Sequence, residues 1–222
     1  MKRVIVICEG QTEQEFCNTI LSPYFSAMGV FVNAPLIKHS HGGIVPWQHL
    51  VKQIRLHLLS DKTAFVTTLI DFYGITEKHG FPKWAESEQI VDHNARVAFL
   101  EGAMREEVED RLRNRFLPYI QLHEFEGLLF SEPTVFARVI PQGDLVGQDE
   151  LQKTVMAFEN PEMINSSKQT SPSHRLERII RGYDKVVYGN YLAENIGLNQ
   201  IRERCPRFNA WVSAIQSLPE NK

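Results

Sequence analysis

Residues 4–16 read VIVICEGQTEQEF. Val4 to Cys8 is a continuous apolar run rich in β-branched residues, the composition of a central parallel strand covered on both faces. The run ends abruptly at Glu9 and Gly10, and a second carboxylate, Glu13, follows four positions after the first. Thr12 with Glu15 fits a capping box, and Phe16, Ile20, Leu21, Tyr24 and Phe25 continue a helical stripe towards Gly29, with a kink expected at Pro23. The stretch therefore reads as strand, tight turn and helix, with an acid set against the end of the buried segment.

Working outward, residues 30–37 (VFVNAPLI) predict a second strand. After the loop KHSHGG, the spacing of Trp47, Leu50, Val51, Ile54 and Leu58 predicts a second helix. Residues 64–73 (AFVTTLIDFY) form the next strong strand, closed by Gly74. A long charged helix is expected over 92–115, carried by Val97, Leu100, Met104, Val108 and Leu112. Residues 119–130 (YIQLHEFEGLLF) return to strand character, interrupted by Gly127. Beyond Ser131 the pattern is one of short helices, over 133–140, 148–158, 172–182, 190–196 and 198–217, with a loop at 165–173. Strands alternating with helices predict an α/β fold with a largely parallel sheet flanked by helices, followed by a mostly helical C-terminal third. With 222 residues, one compact domain is expected, an α/β core over 1–130 with a helical extension over 131–222 packed on it.

Hydrophobic residues make up 43% and charged residues 23% of the chain, and no apolar run approaches the roughly 20 residues that span a bilayer. The apolar run behind Lys2 and Arg3 is too short for a secretory segment, so a soluble, cytoplasmic protein without membrane contact is expected. The three cysteines, Cys8, Cys17 and Cys205, are odd in number and widely spaced, which favours buried free thiols over a disulfide or a zinc site. A formal net charge of −3 gives no bulk attraction to nucleic acid. Binding to a polyanion would need a local basic patch, a partner, or metal ions bridging to phosphate.

In open α/β sheets, sites form beyond the carboxyl ends of the strands. Three predicted strands place acids there: Glu9 with Glu13 after the first, Asp71 at the end of another, and Glu124 with Glu126 on the third, where alternation puts both on one face. Like charges about 4 Å apart repel by roughly 4 kcal/mol at an effective dielectric near 20. A hard divalent cation offsets this, and oxygen-only ligation suits Mg²⁺ or Mn²⁺ better than Zn²⁺. Each acid also has a structural reading: Glu13 as an acid at a helix start, Asp71 as a turn residue, Glu124 and Glu126 as the wet face of an edge strand. The chain contains no phosphate-loop, dinucleotide-binding, nucleophile-elbow or H-E-x-x-H pattern. His41, before Gly42 and Gly43, reads either as a residue of a site loop or as a surface residue. His174 and Arg175, at a helix start where the dipole does not favour cations, suggest either an anion contact or a solvated end.

EGQTE (9–13) after the first strand and DFYG (71–74) after a later one resemble the Toprim fold shared by topoisomerases, primases and the nucleases of the overcoming-lysogenization-defect group. With LHEFEGLLFSEP (122–133), NPEMIN (160–165), SPSHRL (171–176) and CPRFNAW (205–211), the chain is similar to a bacterial family of Toprim-like proteins often encoded beside AAA-type ATPases. The resemblance implies a metal-dependent nuclease with Glu9 as metal ligand or general acid/base, Glu13 as the second acid of the nuclease branch, and Asp71 as the first acid of a D-x-D pair. The second acid of that pair is Tyr73 here, and Glu124 and Glu126 could supply the missing oxygens. Lys185 would be the cation near the scissile phosphate. The implied cofactor is Mg²⁺ or Mn²⁺, the implied substrate DNA, and the implied partner an AAA-type ATPase. A non-catalytic Toprim-like regulatory subunit is the alternative, and a phosphatase or nucleotidyl-transfer activity a third.

Overall fold

A strand with no polar side chain on either face needs neighbours on both edges and cover above and below. Val4 to Cys8 has both: all five residues are buried inside β1 (Lys2–Cys8), and β1 lies between two other strands. The computed structural model describes residues 2–38, 43–165 and 167–219. The sheet order is β2-β1-β3-β4, with β2 (Val30–Asn33), β3 (Phe65–Asp71) and β4 (Phe116–Leu117), while β5 (Ile120–Gln121) pairs with β3 beyond the end of β4. Every pairing is parallel. The expected α/β architecture, a parallel sheet flanked by helices with helices filling the C-terminal part, is the one observed.

The chain divides into two compact units, residues 1–122 with 214–222, and residues 123–213. The first holds the sheet with α1 (Gln11–Phe16), α2 (Ser22–Ser26), α3 (Trp47–Ser60), α4 (Trp84–Ser87), α5 (His93–Glu106) and α6 (Asp110–Arg113). The expected strand over 30–37 stops at Asn33, but pairing resumes where Cys8 donates to Pro35 O and accepts from Ile37, both at 2.9 Å.

Two features of the first helix differ from the sequence reading. The N-cap is Gly10, not Thr12, because the chain is still extended at Gly10 and the helix starts at Gln11. The N3 residue is then Glu13, whose carboxylate accepts the Gly10 N–H at 2.9 Å, while Glu15 lies two residues too late to cap. The irregularity expected at Pro23 appears before it, as a π-turn over Cys17–Leu21 in which the Ser22 N–H reaches the Cys17 carbonyl. Proline has no N–H and crowds the carbonyl four residues back, so the ladder widens ahead of it.

The single helix expected over 92–115 is two. Arg113 donates to the carbonyls of Glu106 and Val108, which closes α5 before α6 begins. The strand expected over 119–130 is likewise not one element. Pro118 cannot donate to a ladder, so β4 and β5 are separate two-residue pieces. The side chain of Thr68, fully buried in β3, bridges the gap by donating to Tyr119 O at 2.7 Å and accepting the Tyr119 N–H at 3.0 Å. That is why a central strand tolerates a threonine with no access to water.

The second unit begins with a turn at His123 (φ 64°) and a 3-10 segment over Phe125–Ser131. It continues through α7 (Thr134–Val139), α8 (Gln148–Ala157), α9 (Pro172–Ile179), α10 (Lys185–Ile196), α11 (Leu198–Arg204) and into α12 (Pro206–Gln216). The helix expected over 198–217 is broken at Cys205, where Pro206 starts a new one. The buried carboxylate of Glu162 accepts the N–H groups of Arg207 and Phe208 at 2.7 and 2.9 Å, so a side chain distant in sequence caps α12.

Gly147, the N-cap of α8, lies against the end of α9, and a Cβ there would stand 2.6 Å from Ile179 Cα and 2.9 Å from Arg178 O. Backbone cannot retreat as a flexible side chain does, so Gly147→Ala is expected to destabilise the fold by about 2 kcal/mol, read as a lowered thermal midpoint. An unchanged midpoint would mean that the two segments are free to separate.

Candidate functional site

The carboxyl ends of β1 and β3 are adjacent because the two strands pair from Val4↔Phe65 to Cys8↔Leu69. Glu9 is the first residue past β1, and its Oε2 accepts the backbone N–H of Asp71, the last residue of β3, at 2.9 Å. The carboxylate of one acid singled out in the sequence is therefore tied to the backbone of the other. Glu13 is buried one turn away, held by its bond to the Gly10 N–H. The turn Phe72 to Gly74 passes close to Glu9: a Cβ on Gly74 would lie 3.3 Å from Glu9 Oε1. A glycine there keeps the turn clear of the carboxylate. Tyr73, which stands where the resemblance expects a second acid, is exposed.

Glu124, Glu126 and Lys185 belong to the second unit. The expectation that alternation along a strand puts both glutamates on one face is not met, because the chain leaves the sheet after Gln121 and coils into the 3-10 segment. Neither is a wet edge residue, since both are buried. Glu124 accepts the Ser173 N–H at 2.9 Å and the Ser173 hydroxyl at 3.1 Å, so it caps α9 from outside the helix. Glu126 pairs with Lys185 at 3.1 Å; its carboxylate side chain is 3% exposed and the lysine 51%. Burial pushes the Glu126 carboxyl above the usual carboxylate range, Lys185 pulls it back, and Glu124 adds to the rise.

Sequence reasoning missed Tyr183, whose phenol oxygen is buried without a hydrogen-bond partner among the described residues. Burial first, then the nearby Glu126 and Glu124, push its pKa well up, so it is a neutral hydroxyl at physiological pH. It missed Ser173 for the same reason, because neither has a neighbour in sequence that hints at the glutamates. His123 is also involved in this region, its Nδ1 lying 3.2 Å from Asn165 Nδ2. A non-glycine residue with positive φ is a position of stored strain, which no local pattern reveals.

Among the described residues no three His, Cys, Asp or Glu side chains are grouped as they would be around a bound metal ion. His41 lies outside the described residues. The three cysteines are free and buried, and burial pushes the Cys8 and Cys205 thiols up, so neither is a thiolate at neutral pH. No described helix is long and apolar enough to cross a membrane.

Fold and site together define an α/β protein with an acid at the carboxyl end of each of two adjacent parallel strands. The chain belongs to the family described as a domain of unknown function, DUF4276, which matches residues 8–216. No curated protein and no solved structure matches it.

Proposed function

We propose that this protein is a Toprim-like, Mg²⁺- or Mn²⁺-dependent nuclease that hydrolyses phosphodiester bonds in DNA, working as the nuclease subunit of an AAA-type ATPase in defence against mobile DNA. The observation that carries the reading is the Glu9 carboxylate bound to the Asp71 N–H, which brings two acidic residues together at neighbouring strand ends, where α/β sheets place their sites. Their donor set is oxygen only, which fits a hard cation. Glu9 and Asp71 would hold such an ion, with water and substrate phosphate completing its shell, since Mg²⁺ commonly takes only one or two carboxylates. Once bound, the ion supplies an activated water and stabilises charge on the phosphoryl group. Glu13 fixes the turn that presents Glu9. The resemblance gives Lys185 a phosphate-facing role, and in the second unit that lysine is the half-exposed partner of a buried carboxylate.

Tyr73 supports the second reading, a non-catalytic regulatory subunit of the same kind of assembly, because one expected metal ligand is replaced by a phenol. Two measurements separate them. Calorimetric titration with Mn²⁺ is expected to show binding in the millimolar range or tighter, lost in Asp71→Ala. Supercoiled plasmid with Mn²⁺, with and without the ATPase, is expected to be cut by the wild type and not by Asp71→Ala. Metal binding without cleavage under either condition would leave the regulatory reading standing, and equal cutting by both chains would remove Asp71 from the site.

A further inference from the structure

The second unit contains a cavity of about 790 Å³ between α8 and α9. Its frame is fixed by backbone: the N–H groups of Val146 and Gly147 both donate to Ile179 O, and Arg181 donates to Asp144 O. Three cations line it, Lys153, Arg175 and Arg178. Arg178 is fully committed, since its guanidinium engages both oxygens of Glu150 at 2.5 to 3.1 Å. Asp149, the other acid of the lining, is exposed and forms no ion pair among the described residues.

Arg175 is different. It is partly buried and has no carboxylate partner among the described residues. Its Nε donates to Thr170 O at 2.7 Å and its Nη1 to Thr154 Oγ1 at 3.0 Å, and the guanidinium lies 5.6 Å from the centre of the Phe158 ring. These contacts fix the plane of the fork, while its Nη2 edge has no acceptor among the described residues. Burial pulls this guanidinium below its usual value, which Glu150 partly offsets. Lys153, on the same cavity wall and exposed, also makes no ion pair among the described residues. The lining holds three cations against two carboxylates, one of them taken up by Arg178, so an oriented, partly desolvated arginine shares this wall with an exposed ammonium and an aromatic ring and has no carboxylate bonded to it among the described residues, an arrangement that stability alone does not favour.

We propose that this cavity is an anion site for the phosphate of a nucleotide, with the Arg175 fork and Lys153 on the phosphoryl oxygens and Phe158 beside the base or sugar. The guanidinium fork matches phosphate geometry, the ammonium adds a mobile point charge, and the volume is that of a small-ligand site and not of a lone ion. The phosphate could belong to a free nucleotide or to a nucleotide of a single strand. The site lies wholly in the second unit and is independent of the cleavage reading.

The test uses the full chain in EDTA, so that divalent-dependent binding elsewhere does not contribute. ATP and tripolyphosphate are titrated by calorimetry, and a fluorescein-labelled 12-nucleotide single strand by anisotropy. Saturable binding is expected for at least one probe, weakened about tenfold or more by Lys153→Glu and by Arg175→Lys, and unaffected by Lys62→Glu. Lys153 is exposed, so its replacement is expected to leave the thermal midpoint unchanged, and a loss there with an unchanged midpoint is a loss of binding. Tighter ATP than oligonucleotide binding assigns the site to a free nucleotide, and the reverse assigns it to a strand. Failure of all three probes to bind at millimolar concentration, or equal binding by wild type and both cavity variants, overturns the proposal. Neither result bears on plasmid cleavage, which needs the metal.

Discussion

Glu9→Gln is expected to lower Mn²⁺-dependent plasmid cleavage by about a hundredfold or more while leaving the thermal midpoint almost unchanged. Glutamine keeps a carbonyl oxygen that accepts the Asp71 N–H now bound by Glu9 Oε2 at 2.9 Å, so the link between β1 and β3 survives. What disappears is the negative charge, and on the proposed function with it a carboxylate that would hold the metal and the stabilisation that ion would provide at the phosphoryl group. Glu9→Ala is a less informative change, because it also orphans the Asp71 N–H and mixes a structural loss of about 1 kcal/mol or more into the kinetics. Cleavage by Glu9→Gln at the wild-type rate would show that the carboxylate serves only to tie two strand ends together.

Lys185→Met is expected to destabilise the chain by about 2 kcal/mol near pH 8, with the difference closing as the pH falls towards 4.5. Glu126 is buried and pairs with Lys185, so removing the ammonium leaves a carboxylate without its counter-charge. The effect is smaller than for a fully buried pair because half of the lysine is in water. The sign follows from the raised carboxyl. A group whose folded pKa lies above its unfolded value of 4.5 contributes stability below that value and loses it as the pH rises through the folded one. Lys185 limits that rise in the wild type, and methionine removes the limit, so ionisation of Glu126 in the variant costs more and sets in at higher pH. Thermal midpoints of both proteins from pH 4 to pH 8 check this. A gap that stays constant over the range would mean that Glu126 is not the group responsible.

The Glu124 and Glu126 pair shows where sequence pattern stops being informative. HEFE after an apolar run reads as a strand by alternation, yet the chain turns at His123 and forms a 3-10 segment. Alternation assumes that the sheet continues, and whether it does depends on a pairing partner 50 residues away, which a local window does not contain. The N-cap error has a similar origin. Thr12 is a better capping residue than Gly10 by composition, but the extended backbone leaving β1 fixes where the helix begins. The β1 and β3 acids were legible because a run of buried apolar residues followed by a carboxylate is informative on its own.

The sequence by itself determined the class of fold and the chemistry available at its sheet edge. VIVIC and FVTTLID are short, β-branched runs of the kind that form central strands, and an acid stands at the end of each. Only the tertiary structure decided what each charge is for. Glu124 caps α9, Glu162 caps α12, Lys185 pairs with Glu126, and Arg175 is held on a cavity wall by a carbonyl and a hydroxyl and not by a carboxylate. The physical reason is the same in each case: the energy of a buried charge depends on the groups that replace its water, and those groups are brought to it by folding from distant parts of the chain.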